Sequence, residues 1–234
     1  MVNDRVVKSL VAGTDARLPL MLLALTAVTG VVDAVSILAL GRVFVANMTG
    51  NVVFIGFALA GAAGFSLAAS LFGVCGFLIG AGAGGRLLTR LGSSRPRLFA
   101  VAVSTELVLV SLATLVLGLA NPSLSDRERN ITVAMLAVAM GIQNAVARHL
   151  AVPDLTTTVL TMTLTGIASD LRHRGQRGTA FARRLLAVLS MFGGAVLGAV
   201  LVLRQSPTAG LAVGTALLAL VVTASWQATL RPGE

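Results

Sequence analysis

The chain has 234 residues, of which 56% are hydrophobic and 12% charged, with a net charge of +9. Soluble domains carry about 25% charged residues, so this composition excludes a water-soluble domain and defines a polytopic membrane protein. The positive charge does not mark a nucleic-acid-binding face, because the Arg residues fall in short linkers between apolar spans, as the positive-inside rule describes.

Met1–Arg17 has charges but no continuous apolar core, and the first long span follows without a small-residue cleavage site. That pattern predicts a retained helix, not a removed signal peptide. Crossing the hydrocarbon core takes roughly 20 apolar residues. Six stretches reach that length: about 19–40, 66–85, 98–120, 131–150, 182–203 and 209–229. Two others, about 44–60 and 156–169, are shorter, interrupted by Gly and rich in polar side chains. The longest polar stretch is Asp170–Arg184, so residues 1–234 are read as one integral membrane domain. The predicted fold is an all-α membrane bundle.

Charge decides whether the short stretches cross. With eight spans, the Arg86/Arg90/Arg95/Arg97 linker and the Arg172–Arg184 linker face opposite sides, which breaks the charge rule in either orientation. With six spans and the N-terminus inside, 14 of the 18 Lys and Arg fall inside, leaving Arg42, Arg127, Arg129 and Arg204 outside. Six spans plus two broken or re-entrant segments are therefore expected, with both termini cytoplasmic in a bacterial inner membrane.

The halves, about 19–120 and 131–229, echo each other. Gly30–Ala34 parallels Gly141–Ala145 at an offset of 111, Asn47–Gly50 parallels Thr163–Gly166 at 116, and Gly76–Ala81 parallels Gly194–Ala199 at 118. Three crossings per half would turn the second copy upside down, the inverted repeat of many secondary transporters. The two short segments would then enter from opposite faces and meet in the interior.

Several side chains are candidates for a translocation or binding site. Asn47, Thr49 and Asn51, with Gly50 between them, suit a broken segment that lines a cavity better than one that faces lipid. Thr161 and Thr165 share a helix face with Thr157, and such a stripe can line a polar path or bond back to its own helix. Asp33 and Glu106 place carboxylates in apolar runs, where charge is expensive. Asp33 is the first choice for a coupling group, against a structural pairing with Arg42. Glu106 either faces the bundle or reaches toward Arg95 and Arg97. Gln143 and Asn144, with Arg148, His149 and Asp154, suggest an inner mouth.

The remaining features carry less chemistry. Cys75 is the only cysteine, which rules out an intrachain disulfide, and no metal site, cofactor or catalytic constellation is expected. Gly80–Gly85 lacks the strand, Lys and Ser/Thr of a phosphate loop. Gly76/Gly80 and Gly194/Gly198 are small-x-x-x-small pairs for close helix packing, within the chain or in a homo-oligomer.

Gly30–Ala34, Phe44-Val45-Ala46-Asn47-Met48-Thr49-Gly50-Asn51, Met140–Ala145 and Leu164–Gly166 together resemble the YoaK-like family of bacterial integral membrane proteins. The likeness covers almost the whole chain. It implies a multi-pass inner-membrane protein and carries over no substrate or catalytic assignment. From the residues themselves the expected function is a secondary transporter for a small polar or ionic solute. The alternatives are a channel and a non-transport assembly, lipid-handling or scaffold protein. Expected partners are the lipid bilayer, a small solute and a coupling ion.

Overall fold

The computed structural model describes residues 18–120, 124–152, 160–170 and 179–230. Among these residues all regular structure is helical. Six helices are long and apolar enough to cross a membrane: α1 (Leu18–Ala39), α3 (Leu67–Leu91), α4 (Arg95–Leu119), α5 (Asp126–Leu150), α7 (Thr179–Arg204) and α8 (Pro207–Leu230). Two are short: α2 (Met48–Leu59) and α6 (Leu160–Asp170).

Local chemistry sets the boundaries. Ser66 and Ser206 cap α3 and α8 by accepting from Ala69 N and Ala209 N at 3.1 Å each. Ser125 and Glu128 form a capping box at the start of α5. Pro96 and Pro207 occupy first-turn positions, where a missing N–H costs nothing. Arg95 donates to the Leu150 carbonyl, joining the start of α4 to the end of α5.

Helix directions settle the number of crossings. An added Cβ at Gly194 would lie 2.0 Å from Ala27 O, and one at Gly198 would lie 2.8 Å from Val31 O. Both helices advance together, so α1 and α7 are parallel. Gly76 and Gly80 stand in the same relation to Ala134 O and Val138 O, so α3 and α5 are parallel. By contrast, Thr114 pairs with Thr215 and Ser104 with Trp226, so α4 and α8 are antiparallel. Successive crossings alternate in direction. Parallel α1 and α7 require that α2 and α6 both cross or neither does. Antiparallel α4 and α8 exclude a crossing by α6. Neither short helix crosses, and corresponding helices of the two halves run in opposite directions.

The halves are also exchanged: α1 packs on α7, and α3 on α5. A Cβ at Gly30 would lie 2.3 Å from Met191 O and 2.8 Å from Ala195 N; one at Gly141 would lie 2.3 Å from Phe77 O and 2.8 Å from Ala81 N. These matched contacts pair Gly80 with Gly194 and Gly84 with Gly198, an offset of 114. The sequence register of 118 was one helical turn off. Gly76, Gly80 and Gly84 recur every fourth residue, so sequence alone cannot choose among them, whereas the contact with α5 does. Asn51 on α2 and Thr163 on α6 are both buried. Of the two uses open to the small-residue pairs, packing within the chain is the one seen: Gly76, Gly80, Gly194 and Gly198 make close contacts inside the chain.

Candidate functional site at the repeat interface

The first broken segment is held by side chains that satisfy its backbone. Gly41 and Arg42, at φ 92° and 54°, end α1 and turn the chain back. Residues 43–46 then run down beside the last turns of α1. Asp33 lies six residues before the end of α1, about 9 Å in at 1.5 Å per residue. Its Oδ1 accepts from Val45 N at 3.3 Å and Ala46 N at 3.4 Å. Asn51 takes the preceding peptide. Its Oδ1 accepts from Phe44 N at 2.9 Å, and its Nδ2 donates to Phe44 O at 2.6 Å. Helix α2 returns along α3, where the Asn51 amide sits against Gly73.

An aromatic cluster pins this hairpin. Phe44 stacks on Phe54 with ring centroids 5.7 Å apart, and Phe54 and Phe57 meet Phe65 at 5.0 and 5.3 Å. The Arg42 guanidinium lies 5.8 Å over the Phe65 ring. Asp33 therefore serves the loop backbone, and Arg42 lies over an aromatic face. Unpaired backbone polar groups are costly in lipid; two side chains read as site candidates, Asp33 and Asn51, remove that cost.

The other candidates of this region do not join them. Asn47 and Thr49 are exposed, and Gly50 packs against the Phe44 ring. Thr161 and Thr165 are exposed on α6, where Thr165 donates to Thr161 O at 2.9 Å. Thr157 and Asp154 lie outside the described residues. Helix α2 packs chiefly on α3 and α6 on α7, and among the described residues the two short helices have no substantial contact. The expectation that they meet in the interior is thus corrected: the exchange of α1 and α5 between halves fills the centre with crossing helices.

A second polar group does occupy that centre. Gln143 Nε2 on α5 donates to Thr29 Oγ1 on α1 at 3.1 Å, and Thr29 donates to Leu25 O at 2.9 Å. Glu106 on α4 is fully buried, so it faces the bundle and does not reach the Arg95/Arg97 end. Glu106 and Gln143 line one small cavity with Leu22, Leu25 and Val103, with room on the order of a single water. Asn144, the next residue, is half-buried and donates to Met140 O at 3.0 Å. Arg148 and His149 are exposed at the end of α5.

Five positions of the cavity lining have apolar counterparts. The repeat offset of 111 carries Leu25 to Leu136, Gln143 to Val32 and Val146 to Val35. The α4–α8 pairs Thr114–Thr215 and Ser104–Trp226 interchange at 111 or 112, which carries Phe99 to Leu211 and Glu106 to Leu218. All five counterparts are fully buried apolar residues. The cavity lies toward the face where α1 begins, whereas these five matching positions lie toward the other face and are buried and apolar.

Sequence reading missed Thr29. The signal was present: Thr26, Thr29, Asp33 and Ser36 recur at spacings of three and four, which puts them on one face of α1. All four are buried.

Six apolar crossings around buried polar side chains define a multi-pass membrane protein. Comparison with known proteins narrows the class. The family described as "Protein of unknown function (DUF1275)" matches residues 21–224, and the chain belongs to this family. It is also 34% identical over 156 residues to UPF0700 transmembrane protein YoaK of Bacillus subtilis (strain 168), covering 66% of this chain and 67% of that protein. No solved structure matches.

Proposed function

We propose that the protein is a secondary transporter for a small polar or ionic solute, with its path between α1, α4 and α5. The asymmetry of the two repeat-related interfaces carries this reading: one places Glu106 and Gln143 in the wall of a small cavity, with Thr29 bonded to Gln143, and the matching positions of the other carry buried Leu218 and Val32. In inverted-repeat transporters the two halves exchange such conformations, opening each side in turn. With the N-terminus cytoplasmic, the orientation that the positive-inside count favours, the cavity lies toward the cytoplasmic side.

Solute flux into vesicles of phosphatidylethanolamine and phosphatidylglycerol tests the proposal. Saturable flux and counterflow, both reduced in Thr29→Val and Gln143→Leu, support it. Absence of flux across amino acids, organic acids, sugars and inorganic ions counts against it. Voltage-driven current at channel rates replaces it with a pore.

A further inference from the structure

We propose that the corner where α3 ends, α4 begins and α5 ends is a docking site for an anionic phospholipid, with its phosphodiester held by Arg86 and Arg90. The inference stands apart from the transport reading. Arg86 and Arg90 are exposed and lie one turn apart on α3. Gly80 and Gly84 mark the opposite side of that helix, which packs on α5. Arg86 follows Gly84 by two residues, about 200° round the axis, so this pair is turned toward lipid.

Depth selects the kind of partner. The 25 residues of α3 span about 37 Å, against about 30 Å for the hydrocarbon core, so each end reaches roughly 4 Å beyond it. Arg90 stands at the headgroup level. Arg86, five residues before the end of α3 at Leu91, falls inside the core boundary. Its Nη1 lies 3.9 Å from an added Cβ at Gly82, further in still. Charge at that depth is costly unless it is paired. Among the described residues, the exposed side chains of Arg86, Arg90, Arg97, Arg148 and His149 have no ion-pair or hydrogen-bond partner. The four carboxylates among the described side chains lie elsewhere: Asp33 and Glu106 are buried, and Asp126 and Glu128 open α5 at the opposite end.

The same corner gathers the other cations. Arg95 donates to Leu150 O, and His149 Nε2 lies 3.8 Å from an added Cβ at Gly92. The end of α5 is thus drawn against the turn that separates Arg90 from Arg97. Ser94 makes no side-chain cap at the start of α4, so the positive end of that helix adds to the field. A guanidinium fork matches the oxygens of a phosphodiester. A soluble acidic protein or a nucleic acid can meet Arg90 and Arg97 but not Arg86 inside the core, and a second copy of this corner brings like charge. A phospholipid brings one negative charge to the boundary with acyl chains beside α3. Gly82 has only Arg86 within 4 Å of an added Cβ and Gly85 has nothing, so no other side chain bars its approach. With the N-terminus cytoplasmic, the lipid belongs to the cytoplasmic leaflet, whose anionic lipids attract such basic clusters.

Native mass spectrometry of the purified protein, released from micelles doped with equal amounts of phosphatidylglycerol and phosphatidylethanolamine, tests the site. The native protein is expected to retain phosphatidylglycerol in preference. Arg86→Gln or Arg90→Gln weakens that retention about fivefold, and the double variant about 30-fold. Arg86→Lys, which keeps the charge without the fork, loses less than Arg86→Gln. Arg127→Gln and Arg204→Gln, at the opposite end of the bundle, leave the preference unchanged. Should the double variant fail to fold, the two single variants carry the test. A preference that survives both single variants, that falls equally in Arg204→Gln, or that inorganic phosphate abolishes overturns the proposal. Retention of nucleic acid or an acidic polypeptide, with the two lipids bound alike, also overturns it.

Discussion

Asn51 holds both backbone polar groups of Phe44, accepting from its N–H at 2.9 Å and donating to its C=O at 2.6 Å. With Asp33 on the next two N–H groups, it lets non-helical backbone lie beside α1. Asn51→Leu removes both bonds and strands two part-buried groups, at a cost on the order of 2–3 kcal/mol. The expected outcome is a lower thermal midpoint in detergent. Asn47→Ala and Thr49→Ala, at exposed positions, leave the midpoint near that of the native protein.

Asp33 can be separated into acceptor and charge. Asn offers the same Oδ1 to Val45 and Ala46, so Asp33→Asn retains the hairpin, whereas Asp33→Leu loses both acceptors and destabilises by about 2 kcal/mol. Comparing the two midpoints measures the structural role. If Asp33→Asn is as unstable as Asp33→Leu, the assignment of Asp33 to the loop backbone fails.

The glycine seams predict opposite responses at neighbouring positions. A Cβ at Gly80 would lie 2.1 Å from Val138 O and one at Gly194 would lie 2.0 Å from Ala27 O. Either alanine substitution forces the helices apart, costing about 1–3 kcal/mol. Gly56 and Gly193 have nothing within 4 Å of an added Cβ. Alanine there is neutral or stabilises by up to about 1 kcal/mol. Denaturation midpoints of the four variants check the packing of α1 on α7 and α3 on α5.

Sidedness follows from helix direction. In a Cys75→Ser background, cysteines at Ala62, Asp126 and Gln205 label from one side of the membrane, and those at Ser93 and His149 from the other. Gln205 is decisive, because eight crossings would group it with Ser93. Impermeant maleimide applied to intact cells and to inverted vesicles distinguishes the patterns.

Much of this architecture was legible in the amino-acid order. Six apolar runs of membrane length, two short polar runs and an echo between halves follow from hydropathy, which depends on composition within a window. For Glu106 the sequence left two placements open, facing the bundle or reaching toward Arg95 and Arg97, and only helix packing chose the first. Thr29 was harder to see, because a threonine that bonds to its own helix leaves little hydropathic trace.

Tertiary structure decided what each polar side chain touches. Whether Asp33 meets a solute, Arg42 or the loop backbone depends on where residues 43–46 lie, and no local pattern contains that. The offset of 114 between α3 and α7 was likewise invisible, because glycines repeating every turn make neighbouring registers alike until a partner helix selects one. Apolar length alone determined that the chain enters the bilayer. The exchange of α1 and α5 between halves decided which polar groups share its centre, since only helix-on-helix contact brings residues more than a hundred positions apart within hydrogen-bond reach.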